Sequence, residues 1–148
     1  MVSITLEMIR TEWEKDSAIN EMELDKVLSD LPKVFTRYLD YHTAVTMMMR
    51  KQQSLLRKET KIKWMYYTGK LDHDELLRLK LEPFQHKILK QDIDKFLGAD
   101  EQIDILEQKI CYYREMLKYL EEIMKMLNNR GYHVKSMIDW KRFTHGVD

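Results

Sequence analysis

The chain has 148 residues, 34% of them charged and 44% apolar, with four glycines, two prolines and a formal net charge of zero. That length fits one domain with a real core, and the shortage of helix breakers favours long helices over a sheet-rich fold. A single cysteine excludes an intramolecular disulfide and a cysteine metal cluster.

Neutrality overall hides a polar distribution. Residues 1–31 hold eight acids against three bases, a net charge of −5, whereas residues 50–70 hold seven bases against Glu59 alone, a net charge of +6. The N-terminus places acids close behind a short apolar stretch, which does not suit a signal peptide. No uncharged run approaches the roughly 20 residues needed to span a bilayer. A soluble, intracellular protein is expected.

Residues 5–29 read as one or two short helices, with Leu6, Ile9 and Trp13 on one face. The first strong periodicity starts at Leu31-Pro32, where proline suits a first helical turn and Asp30 suits a cap. From there Val34, Tyr38, Tyr41, Val45, Met48, Gln52, Leu55, Glu59, Ile62 and Tyr66 alternate by fours and threes, a heptad stripe interrupted only by Gln52 and Glu59. Gly69 supplies a left-handed stop. The pattern predicts a helix over 32–68.

Asp72 to Phe96 reads as helical segments interrupted at Pro83. The second strong periodicity predicts a helix over 99–129. Ile103, Leu106, Ile110, Tyr113, Leu117, Leu120, Met124 and Leu127 form one stripe, and Ile105, Tyr112, Met116, Tyr119, Ile123 and Met126 form another beside it. Two adjacent stripes call for more than one neighbour. Cys111 within this stretch reads as a buried structural thiol. Gly131 is the expected stop, and Ser136-Met-Ile-Asp139 resembles a capping box that opens a final helix over 136–143 carrying Ile138, Trp140 and Phe143. The expected fold is therefore all-α, a single domain over 1–148 that assembles as a helical homo-oligomer. Leu117, Leu120, Met124, Leu127, Ile138, Trp140 and Phe143 are the expected oligomerisation residues.

Catalytic chemistry finds no footing. Four scattered glycines make no phosphate loop, and the serines lack a nucleophile-elbow context. His42, His73, His86, His133 and His145 lack metal-ligand spacing, and the acids at Asp72, Asp74 and Glu75 suit a helix start. No catalytic residue, metal or cofactor is expected. The basic stretch is more informative. At 100° per residue Arg50, Lys51, Arg57, Lys58 and Lys61 fall in one arc of about 120°, turned away from the stripe, with Trp64 beside it and Tyr67 farther round. Phosphates need positive charge along a line, and unpaired bases need a flat aromatic on which to stack. Periodicity leaves two readings open: a nucleic-acid surface, or a solvated face on a coiled-coil scaffold or assembly protein.

The run Lys61-Ile62-Lys63-Trp64-Met65-Tyr66-Tyr67-Thr68-Gly69-Lys70 resembles the UvsY recombination mediators of tailed phages. The resemblance resumes at Leu97-Gly98-Ala99-Asp100 and continues through Asn129-Arg130-Gly131 to Phe143, and more loosely covers Trp13-Glu14-Lys15-Asp16 onward. It implies a ring-like homo-oligomer of more than two copies, without enzymatic activity, that binds single-stranded DNA in the host cytoplasm. It also implies two protein partners, a RecA-like recombinase and the single-strand-binding protein that covers the strands. The family's short basic DNA-contact motif falls on Lys61 and Lys63, with Ile62 and Trp64 as its apolar members. With the basic arc, the expected DNA-binding set is Arg57, Lys58, Lys61, Lys63, Trp64, Tyr67 and Lys70. Lysine at both charged motif positions lacks arginine's bidentate grip on phosphate. The stretch from Leu71 to Phe96 is longer than the family pattern and takes no role from it.

Overall fold

The computed structural model describes residues 3–84 and 86–146. Among them the chain forms five α-helices, α1 (Leu6–Asp16), α2 (Leu24–Tyr67), α3 (His73–Leu79), α4 (Ile93–Gly98) and α5 (Glu101–Thr144), with one 3₁₀ turn at Lys90–Asp92 and no strand. The all-α expectation holds, with two dominant helices of 44 residues each.

Both long helices exceed their expected bounds. Helix α2 begins at Leu24, not at Pro32, which lies inside it. Leu24 is buried and Val27, Leu28 and Leu31 are half-buried, so the apolar stripe extends two turns upstream of the proline. That packing offsets the missing N–H of Pro32, which leaves the Leu28 carbonyl without its helical partner. Helix α5 likewise runs through Gly131 and Ser136, merging the two helices expected over 99–129 and 136–143. Gly131 lacks the positive φ that marks a helix stop. Ser136 bonds back to the Tyr132 carbonyl at 3.0 Å and does not cap anything. Val134, fully buried seven residues after Leu127, shows why the helix continues: its face still has something to pack against.

The end of α2 is as expected. Gly69 has φ +72°, its N–H donates to the Tyr66 carbonyl at 3.2 Å, and the Lys70 N–H donates to the Met65 carbonyl at 2.9 Å. These two bonds make a Schellman motif, which satisfies carbonyls the last turn leaves open. Helix α3 is capped by Asp72, whose side chain accepts from the Glu75 N–H at 2.8 Å.

The chain divides into two compact units, residues 1–47 with 113–148, and residues 48–112. In the first, Ile9, Leu24, Tyr38, Val45, Met116, Leu120, Ile123, Leu127 and Val134 form the core. Charged residues tie α1 into it. Arg37 Nη1 lies 2.9 Å from Asp16 Oδ2 and 3.2 Å from Glu12 Oε2, and the Tyr38 and Tyr41 hydroxyls donate to Asp16 and Glu12. Arg130 donates to the Asp16 carbonyl at 2.7 Å and stands over the Trp13 ring. Two acids of the N-terminal acidic third are thus committed within this unit. In the second unit Ile93, Ile103 and Ile110 are buried with Gln52, Lys63 and Asp100. Cys111, expected buried, is exposed. It follows Ile110 by one position and is therefore turned about 100° from that inward residue.

Candidate nucleic-acid interface

Within the second unit, α2 presents Arg50, Lys51, Arg57, Lys58 and Lys61 to solvent. Among the described residues none of these five takes part in an ion pair. Lys58 and Lys61 also line a shallow cleft of about 420 Å³ with Arg78 of α3, opposed there by Glu75. Arg78 lies in the segment that took no role from the family pattern, and a base in the last turn of a short helix carries no signal to mark it.

Lys63 is placed differently from its basic neighbours. It is 7% exposed, with its ammonium 3.2 Å from Asp100 Oδ2. Asp100 also accepts from the Tyr67 hydroxyl at 2.7 Å and, through Oδ1, from the Ile103 N–H at 3.1 Å, which caps α5. Burial pushes the Asp100 carboxyl up, but the bonds from Tyr67, Ile103 and Lys63 together outweigh it and hold the carboxyl below its ordinary value. Burial and the Asp100 bond push the Tyr67 phenol well above its usual range. Lys63 and Tyr67 are thus joined to each other through Asp100 and turned away from the solvated arc.

Trp64 is 39% exposed, and the Lys70 ammonium sits 4.1 Å from its ring centroid. Of the expected set, then, Arg57, Lys58, Lys61, Trp64 and Lys70 are accessible, Lys63 is buried, and Tyr67 is half-buried with its hydroxyl on Asp100. A second group of side chains lies outside the expected set. Phe84, His86, Lys87 and Lys90 line a cleft with Trp64, Tyr67 and Lys70. Phe84, His86, Lys87 and Lys90 lie within seven residues but share no helical period that would mark a common face.

The expected oligomerisation residues also separate. Leu117, Leu120 and Leu127 are buried within the first unit, and Met124 and Ile138 are half-buried. Trp140 at 65% and Phe143 at 78% are exposed, as is Tyr132. From the second stripe Met116 and Ile123 are buried while Ile105, Tyr112 and Met126 remain exposed. His42, His73, His86, His133 and His145 do not gather: among the described residues no group of three or more His, Cys, Asp or Glu is placed to hold a metal. No helix among them is long and apolar enough to cross a membrane.

Residues 12–147 match the family described as "Recombination, repair and ssDNA binding protein UvsY". The chain belongs to the UvsY family. It is 21% identical over 141 residues to the recombination protein uvsY of Enterobacteria phage T4, a match covering 95% of this chain and 98% of that one. The fold is shared with crystal structures of the bacteriophage T4 recombination mediator protein UvsY. One lattice form superposes with a TM-score of 0.84 at 20% identity, covering 97% of this chain and 99% of that one. Another gives 0.84 at 19% identity, with 95% and 99% covered. The resemblance read from Lys61 to Lys70 lies inside the matched span.

Proposed function

We propose that this chain is a recombination mediator that binds single-stranded DNA through the exposed basic face of α2 and acts by binding alone. The observation that carries the reading is the set Arg50, Lys51, Arg57, Lys58 and Lys61, solvent-exposed and in no ion pair among the described residues, in a member of a family described as binding single strands. A row of unmatched cations along one helix face follows a phosphate backbone and releases its counterions. Arg78 widens that row at Lys58 and Lys61. Lys63 has a different part in this proposal: its charge is used by Asp100, so it holds the end of α2 and leaves phosphate contact to Lys61.

The chain works as a homo-oligomer of more than two copies, arranged as a ring. In the first unit Met126, Tyr132, Trp140 and Phe143 are the exposed apolar residues that further copies cover. Each copy contributes a weak grip on the strand, and linkage raises the effective concentration for the next. A strand held at many points follows a changed path. That loosens the single-strand-binding protein covering it and favours nucleation of a RecA-like recombinase in the host cytoplasm. A coiled-coil scaffold without nucleic-acid binding is the reading this displaces.

The test is binding of a labelled single strand, without cofactor, across a range of salt concentrations. Wild type should bind with a steep salt dependence. The Lys58→Ala, Lys61→Ala double variant should bind less tightly, its log–log slope shallower by about 0.7 for each phosphate it no longer neutralises. Unchanged affinity and slope in that variant would return the protein to the scaffold reading.

A further inference from the structure

The segment left without a role by the family pattern walls a cleft of about 830 Å³ in the second unit. Its size falls within the roughly 300–1,000 Å³ of small-molecule sites. The rings of Tyr67, Phe84 and Phe96 pack against one another with centroids 5.1 to 5.8 Å apart, and Tyr67 and Phe84 line the cleft. Trp64 supplies a further aromatic wall. Among the described residues the charged lining is Lys70, Lys87 and Lys90 against Asp94, so the cleft is aromatic within and cationic overall.

We propose that this cleft takes one nucleobase, unstacked from a single strand, against Trp64, while Lys70, Lys87 and Lys90 hold the phosphates beside it. This rests on the single-strand reading above and assigns to one part of the chain the distinction between a base and bare phosphate. Planar aromatic surface beside lysines is the pairing that binds a base together with its backbone. Lys70 links the two functions. Its ammonium covers the Trp64 ring at 4.1 Å, a cation–π contact that a base can replace once a phosphate draws the ammonium away. Only the side chain has to move, because the bond from the Lys70 N–H to the Met65 carbonyl holds the backbone of the turn that Gly69 permits. Phe84 and the lysines at 87 and 90 then make the loop a second wall for a strand already running along α2.

The experiment compares a labelled oligodeoxythymidylate with an abasic strand of the same length, which keeps every phosphate and lacks the bases. Wild type should prefer the strand with bases by about tenfold, the scale of stacking one base on an aromatic ring. Phe84→Ala and Trp64→Ala should each shrink that preference. Lys87→Glu with Lys90→Glu should weaken both strands. Because Phe84 packs against neighbouring rings, Trp64→Ala and the lysine pair keep the test decisive if Phe84→Ala does not fold. If wild type binds both strands alike while Lys58→Ala with Lys61→Ala weakens them, the cleft proposal falls and the single-strand reading stands. If wild type binds neither strand, both fall. Thymidine monophosphate as competitor separates the sources of the ligand: displacement of the strand at a concentration equal to its own would make this a free-nucleotide site and overturn the proposal.

Discussion

The Lys63 ammonium lies 3.2 Å from Asp100 Oδ2, and the two side chains are 9% and 3% exposed. This pair joins the last turns of α2 to the cap of α5, since the same carboxylate accepts from the Ile103 N–H. Taking either charge away leaves the other buried without its counter-charge. Lys63→Ala should therefore destabilise the fold by about 3–5 kcal/mol. Lys61→Ala, exposed two residues earlier, should stay within about 0.5 kcal/mol of wild type. Urea denaturation of the two variants checks this. A Lys63→Ala protein as stable as wild type that has lost its affinity for single strands would restore Lys63 to the phosphate-binding row.

The same carboxylate sets a pH dependence. Asp100 is held below its ordinary value of 3.8, so the folded state binds its proton less readily than the unfolded chain does. Its contribution to stability is complete above the unfolded value and is lost as pH falls from there through the lower folded value. Thermal melts of wild type should show this loss only below about pH 4. Asp100→Asn should melt lower than wild type at neutral pH and show a shallower decline in that acid window. A variant whose acid decline matches that of wild type would assign the acid sensitivity to other carboxylates.

Lys63 joined the expected set through the family motif and not through periodicity, and its burial is a matter of helical period. A strict heptad assumes 3.5 residues per turn, whereas a straight α-helix turns at 3.6 and drifts about 20° per heptad. Tyr38, Val45 and Gln52 satisfy both periods and are buried. Beyond Gln52 the heptad selects Leu55, Glu59, Ile62 and Tyr66, while the 3.6 period selects Leu56, Lys63 and Tyr67. Leu55 is 41% exposed and Lys63 is buried, so α2 keeps the straight period. The same phase arithmetic puts Lys63 about 120° from the edge of the basic arc, and that arc is solvated as read. The arc and the Gly69 stop were thus legible from local chemistry and spacing. Helix bounds at Pro32 and Gly131 were not, because burial of Leu24 and Val134 outweighs the local preference of a breaker, and burial is a property of the folded neighbours. The cleft around Phe84 and Lys87 was invisible for a related reason: an irregular segment has no period from which to read a face.

Pro32 offers a direct test of that balance. It lies in the third turn of α2, inside a continuous helix and exposed, so its cost is not recovered through contacts of its own ring. Pro32→Ala restores the N–H that the Leu28 carbonyl lacks and should stabilise the protein. The ceiling is about 3 kcal/mol, the interior helix penalty of proline. The gain should be smaller than that, because alanine also frees the unfolded chain. Denaturant midpoints measure it. A drop in stability would mean that the helix is shaped around the proline and that its packing depends on the ring.

Assembly can be separated from folding because the apolar residues of α5 divide into two classes. Leu120 is fully buried within the first unit, so Leu120→Asp should place a charge in that core and cost several kcal/mol. Trp140 and Phe143 are largely exposed, and their rings touch with centroids 5.9 Å apart. Replacing both with serine removes little that the single chain uses, and its helical content should be unchanged by circular dichroism. If these rings are covered by a further copy, the double variant should sediment as a smaller species than wild type. Its affinity for single strands should fall with the number of linked grips, although every lysine is intact. Lys141 next to them should be left alone, since its ammonium donates to the Glu21 carbonyl within the first unit. Wild type that sediments as a monomer would end the oligomer proposal. A double variant of wild-type size would move the interface to the exposed Met126 of the same unit, and Met126→Ser becomes the next variant to sediment.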